Sequence, residues 1–516
     1  MPSKLACNSN RWRTWLAALF ILLAFGVLKA TQQSASAADA ALDIASRREL
    51  FLDEFLIEKL TGGARLVLHR PTPREVVVVH DQPWEGNTSG YVTVIQDGER
   101  YHMYYRGHQF IVKRGTLASA QAETTCYASS GDGIHWEKPQ LELHEWQGSK
   151  QNNIIWLAEG VHNFTPFKDD NPNCPAEARF KAVGGLPPEG LYAFQSADGV
   201  HWKKLADKAV FVKGAFDSQN VAYWDPLRKQ YSLYFRFFGS EGEYKGLRAI
   251  AVTHSPDFLV WTDPQPLKYP DSPPHQLYTN QVIPYFRAPH ILVGFPTRYV
   301  ARPLERHVLS IDPQELRATL ASGIPRAASD VTDGLFMSSR DGVNFRRWDE
   351  AFLRPGLQQE GRWTYGDNYQ SYGLIETRAT FPGGPGELSF YSSEGSWRDK
   401  QALQRRYSLR MDGFASVQAP FSGGELLTRP VKFSGKRLTI NYATSAGGSL
   451  RCELQDEQGQ PLPGFTLADC DEHFGDTLEQ TVYWKAGADV HALAGKPIRL
   501  RFVLRDADLY ALQFQP

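Results

Sequence analysis

The chain has 516 residues, 42% of them hydrophobic and 22% charged, which excludes wholesale disorder and exceeds what one small core can organise. Lys plus Arg number 56 and Asp plus Glu 57, so the net charge of −1 leaves no basic excess for a phosphate backbone and argues against a nucleic-acid binder. Thirteen Trp and 22 Tyr beside 43 Gly and 32 Pro combine stiff strand formers with turn formers, a balance that favours an all-β, sugar-handling protein.

In chain order, Lys4, Arg11 and Arg13 precede an apolar run over 15–28, and Ala35-Ser36-Ala37 follows as a small-residue cleavage site. This reads as a signal peptide over 1–37, with the mature chain secreted or periplasmic. An uncleaved anchor is the alternative, but the run falls short of the roughly 20 residues a span requires, and no later segment is expected to cross a membrane. Beyond the signal lie Cys126, Cys174, Cys452 and Cys470. An even count in an exported chain permits two disulfides, Cys452 with Cys470 by proximity and Cys126 with Cys174; four buried thiols are the other possibility. No Cys/His spacing suggests zinc.

A repeat organises the middle of the chain. Ser130-Gly131-Asp132-Gly133-Ile134-His135-Trp136 returns as Ser196-Ala197-Asp198-Gly199-Val200-His201-Trp202, then as Ser255-Pro256-Asp257 through Trp261. A fourth copy, Ser339-Arg340-Asp341-Gly342-Val343-Asn344-Phe345, has Phe for Trp, and Arg410-Met411-Asp412-Gly413-Phe414 is a decayed fifth. Ser and Asp side chains can bond turn amides and Gly tolerates positive φ, so each copy is a tight turn, with Trp136, Trp202 and Trp261 expected in the core beneath it. Two further strands precede each turn, for example 91–96 and 100–106, or 221–224 and 230–236. Five four-stranded units of about 70 residues predict a five-bladed β-propeller over 47–424. Alternating strands after 425 predict a β-sandwich over 425–516.

The turns with Asp four residues before Trp resemble those of the furanosidase-type five-bladed glycoside hydrolases, the superfamily of invertases, levanases, arabinanases and β-xylosidases. Trp84-Glu85-Gly86-Asn87-Thr88-Ser89-Gly90 also looks like the invertase-type lead into the first strand, with Asn87 where that family has Asp. The resemblance covers roughly residues 51–420. It implies a propeller with an appended β-domain, an oligo- or polysaccharide substrate, an active site at the channel mouth, and a channel calcium by analogy; no other cofactor is indicated. By blade position Asp217 matches the superfamily's general acid, whereas Asn87 and Asn163 stand where the family carries carboxylates.

Propeller geometry brings two rings of residues to the mouth. The first precedes each innermost strand: Glu85 and Asn87; His162 and Asn163; Asp217, Gln219 and Asn220; Tyr278 and Asn280; Asp367 and Asn368. Asn at all five positions either caps the strand or meets sugar hydroxyls. The second ring ends the second strands: Arg106, His108, Arg236, Arg298 and Glu394. Three converging Arg either pair with internal acids or recognise a carboxylate or sulfate. Glycoside cleavage needs two carboxyl groups, which leaves Asp217 as acid with Glu85 or Asp367 as partner.

Three readings follow: a secreted glycan-active hydrolase, which needs two carboxylates facing one point; a non-catalytic carbohydrate-binding propeller, which needs only aromatics, Asn and Arg; and a structural surface protein, which predicts a plugged channel.

Overall fold

The computed structural model describes residues 41–113, 116–312, 314–359, 362–398 and 401–516. The signal peptide expected over 1–37 lies outside the described residues. Among those residues no helix is long and apolar enough to cross a membrane.

The propeller consists of five antiparallel sheets. Gly90–Asp97, Arg100–Gly107, Thr124–Ser130 and Trp136–Glu137 form the first. Thr165–Lys168, Phe180–Gly184, Tyr192–Ser196 and Lys203–Lys204 form the second; Val221–Asp225, Gln230–Phe238, Arg248–Ser255 and Gln265–Pro266 the third. Ile283–Tyr285, Ala288–Gly294, Met337–Ser339 and Arg346–Arg347 form the fourth. The fifth contains Ile375–Thr377, Glu387–Glu394 and Leu403–Leu409, and takes its outer strand from Thr72–Val79 far upstream. That pairing zips the start of the propeller to its end.

The innermost strands meet at the axis. Thr93 bridges Tyr372; Gln219 Nε2 donates to Thr93 Oγ1 at 3.0 Å; Gln281 Nε2 donates to Gln219 Oε1 at 2.6 Å and to the Gln370 carbonyl at 2.7 Å. These buried amides link the innermost strands across the axis. They carry no charge to balance calcium, and among the described residues no cluster of three His, Cys, Asp or Glu is placed to hold a metal.

The repeated turns are made as their sequence dictates. Ser130 Oγ accepts from the Gly133 amide at 2.9 Å, and Asp132 Oδ1 accepts from the Ile134 and His135 amides at 2.9 and 2.8 Å. Asp198, Asp257 and Asp341 repeat the pattern. The turns also dock on the preceding blade. Tyr391 donates to the Gly133 carbonyl, Tyr234 donates to the Gly342 carbonyl at 2.9 Å, and a Cβ on Gly199 would stand 2.6 Å from the Tyr104 hydroxyl. The three Trp differ from expectation: they are half-buried at blade junctions, where Trp202 meets Phe164 and Tyr104 edge-on at 5.1 and 6.2 Å.

The C-terminal sheet is dominated by two long strands, Arg437–Gln455 and Arg499–Gln515, around one core. The expected boundary at 424/425 is not respected. Ile57–Gly62 and Arg65–Leu68 pair with Gly424–Thr428 and Ala415–Ala419, because Ile57, Leu60 and Leu66 complete this core; Glu49–Leu50 pairs with Ala511 and Leu512, and Leu50 and Ala511 are buried in the neighbouring propeller cluster. The decayed repeat serves the junction: buried Asp412 accepts from Tyr285 at 2.6 Å and Asn441 at 3.0 Å, and pairs with Arg48 and Arg287 at 3.2 Å. Of the two possibilities for the cysteines, the structure has free thiols at all four positions, with Cys174 only partly buried. Cys126 lies in the first-blade core, while Cys174 faces Lys181 on the second; Cys452 and Cys470 are adjacent through a Cys452 amide to Cys470 Sγ contact of 3.3 Å.

Candidate functional site at the channel mouth

A cavity of about 220 Å³ opens at the channel mouth. Its wall is aromatic: Tyr91, Phe110, Tyr278, Tyr365, Tyr369 and Trp397. Trp397 stacks with Phe110 at 5.2 Å and with Tyr365 at 6.1 Å. The polar groups are Arg106, His162, Asp217 and Arg326, with Ser89, Ser393 and Ser396. Tyr91 enters its strand at φ 51°, a left-handed conformation that costs an L-residue about 1 kcal/mol and recurs at functional sites. The opposite channel end holds a larger cavity of about 620 Å³, lined mainly by apolar residues such as Trp224 and Phe286.

His162, on the short turn Val161–Asn163, links two acids. Its Nδ1 lies 2.9 Å from Glu123 Oε1 and its Nε2 3.2 Å from Asp217 Oδ1. Arg106 Nη1 stands 3.3 Å from both ring nitrogens, so the guanidinium lies over the imidazole face, and Nη2 donates to the Thr88 carbonyl at 3.0 Å. Arg236 approaches Asp217 Oδ2 at 3.6 Å and covers Tyr278 at 4.9 Å. Burial raises the Glu123 carboxyl, but its bonds to His162 and the nearby Arg106 bring it down to about 2. Asp217, with 57% of its side chain exposed, is likewise pulled up by burial but held below its usual range by His162, Arg236 and Arg106. A general acid needs its carboxyl held protonated, and these neighbours favour the ionised form of Asp217 instead.

The two proposed partners of Asp217 do not line the cavity. Glu85 is buried against Lys138 Nζ at 2.6 Å and the Tyr105 hydroxyl at 2.6 Å, within the first blade. Asp367 lies one layer behind the wall, where Oδ1 accepts from the Ser396 amide at 2.8 Å. Burial pushes its carboxyl up to about 7, and the Glu394 carboxylate adds to the rise. Asp217 is the one carboxylate on the wall among the described residues, so paired-carboxylate chemistry is not assembled there.

Most of the first ring is structural. Asn87 donates to the Phe110 and Arg398 carbonyls at 3.0 Å; Asn163 donates to Gly185, Phe216 and Ser218; Asn220 donates to Phe216 and Ser218; Asn280 donates to Tyr234. These amides tie loops to strand starts and leave the sugar-binding role to other groups. In the second ring, Arg298 forks onto Asp333 at 2.9 and 2.6 Å, away from the cavity. Glu394 is buried with Arg362, Arg405 and Tyr407, each at 2.9 Å. His108 is buried between Thr88 and Ser119, and burial and Arg106 lower it to about 4. Glu123 and Arg326 were not singled out by the sequence. Glu123 follows a strand outside the repeated turn, and Arg326 sits in a non-repeated insert, so neither carries a positional signal.

No family model and no curated protein matches the chain. Solved structures similar to it include one described as a glycoside hydrolase, at 13% identity over 67% of this chain and 93% of that one, TM-score 0.42. The catalytic domain of Coprinopsis cinerea GH62 alpha-L-arabinofuranosidase matches at 10% identity over 66% and 97%, TM-score 0.40. An endo-arabinase from Bacteroides thetaiotaomicron matches at 9% identity over 66% and 98%, TM-score 0.37.

Proposed function

We propose that the chain is an exported glycan-active enzyme whose site is the channel-mouth cavity, with Asp217 and His162 as its reactive pair. The observation that carries this reading is the Glu123–His162–Asp217 relay opening onto an aromatic wall. Aromatic faces suit the C–H faces of sugar rings, and water is partly excluded between them. Ionised Asp217 serves as base or nucleophile. His162 holds the Asp217 carboxylate through Nε2, and Glu123 orients the ring through Nδ1. Arg106 and Arg236 offset the charges of Glu123 and Asp217.

A glycan array followed by product analysis on the hits tests the proposal. Product release by the wild type, lost in Asp217→Asn with an unchanged melting temperature, is the expected result. The lone carboxylate on the wall favours a second reading, a carbohydrate-binding propeller; hits that bind without any product would establish it over the first.

A further inference from the structure

We propose that Arg326 is the residue that selects an anionic glycan, taking a substrate carboxylate or sulfate in its guanidinium fork; this rests on the reading that the cavity takes a glycan. Arg326 is exposed and stands on the cavity wall. Its guanidinium lies 5.3 Å from the Tyr365 ring centre and beside the Tyr299 hydroxyl. Four arginines at this end have acids: Arg106 has Glu123 at 3.6 Å, Arg236 has Asp217 at 3.6 Å, Arg298 has Asp333 at 2.6 Å, and Arg362 has Glu394 at 2.9 Å; Arg248 bonds Gln276 and is covered by Tyr278 and Tyr299, and Arg317 is spent on carbonyls. Among the described residues no carboxylate lies within 4.0 Å of Arg326, although it is a permanent cation in a partly enclosed cavity.

The insert that carries it is pinned in place. Residues 301–330 leave the fourth blade after Thr297–Val300 and return at Val331–Gly334. Buried Arg317 donates to the Ile311 and Ala328 carbonyls at 2.8 Å and to the Trp363 carbonyl at 2.6 Å. Ala327 and Ala328, next in chain to Arg326, are buried in one cluster with Tyr278, Tyr299 and Tyr365. The Arg326 backbone is therefore fixed against the same Tyr365 that stacks on Trp397. A glycan that enters this cavity comes within reach of the Arg326 guanidinium on its wall. A planar fork matches a carboxylate or sulfate there through two parallel hydrogen bonds, which a hydroxyl cannot supply.

The test is calorimetric binding of an oligogalacturonate, a sulfated oligosaccharide and a neutral oligosaccharide of equal length, with the two charged arms separating carboxylate from sulfate. Wild type is expected to prefer one charged probe. Arg326→Ala should reduce affinity for that probe about tenfold and collapse the charged-to-neutral ratio. Arg326→Lys, which keeps the charge without the fork, should fall between, and reads the effect even if the alanine variant folds poorly. A ratio unchanged in both variants, or no charge preference in wild type, overturns the assignment and leaves the glycan reading standing. Wild type binding none of the three probes overturns the glycan reading and this assignment together.

Discussion

Nε2 of His162 stands 3.2 Å from Oδ1 of Asp217, while Nδ1 of the same ring meets Glu123 at 2.9 Å. One imidazole therefore ties a partly buried acid to the acid that faces the cavity, so the placement of Asp217 depends on Glu123 through His162.

Replacing Asp217 with Asn keeps the side-chain volume and removes the charge. Turnover on any glycan that the wild type cleaves should fall about 10²- to 10⁴-fold, the span of a positioned acid–base group. Calorimetric melting checks that the fold is retained.

Glu123 makes acid stability measurable. Its folded carboxyl titrates at about 2, below the 4.5 of a free glutamate. Between these values the unfolded chain binds more protons, so stability rises with pH there. The contribution is complete above about pH 4.5 and is lost as pH falls through 2, on the order of 3 kcal/mol at full strength. Urea unfolding at pH 7 and pH 3 should show Glu123→Gln less stable at pH 7 and less sensitive to acid than wild type. An identical pH slope in the two proteins would falsify the linkage.

Arg298 should behave as a structural residue. Arg298→Ala leaves the partly buried Asp333 without its fork and should cost about 2–3 kcal/mol. The ratio of charged to neutral ligand affinities should stay at the wild-type value, which separates Arg298 from Arg326.

Trp202→Ala should cost about 3 kcal/mol by denaturant unfolding, at the low end for an aromatic, since the indole is half-buried. Part of that loss is the Trp202 Nε1 bond to the Gly199 carbonyl, 2.9 Å long. The turn that loses it is the one docked on Tyr104.

What could be read in the sequence was what is local. The Ser130–Trp136 turn bonds its own amides within a few residues, so its recurrence exposed the blades. The Asn residues at strand starts were equally visible, but whether an amide meets backbone or sugar depends on neighbours such as Arg398, over 300 positions from Asn87. Arg106 and Arg236 reach the relay as five-fold symmetry suggests, whereas Arg298 is intercepted by Asp333, 35 residues later in a strand that the repeat does not describe. Arg326 could not be found by symmetry at all, because the insert occurs in the fourth blade alone.

The pairing of Thr72–Val79 with Leu403–Leu409, and of Leu50 with Ala511, constrains how the chain reaches this state. The amino-terminal strands leave the ribosome more than 300 residues before the partners that complete their hydrogen bonds. During that interval Val76, Val78 and Ile57 belong to unpaired strands, and neither the ring nor the second core can close. Synthesis therefore delivers four potential blades first and the two seams last. Both closures are contacts of very large sequence separation, which makes them slow and leaves the waiting strands open to mispairing.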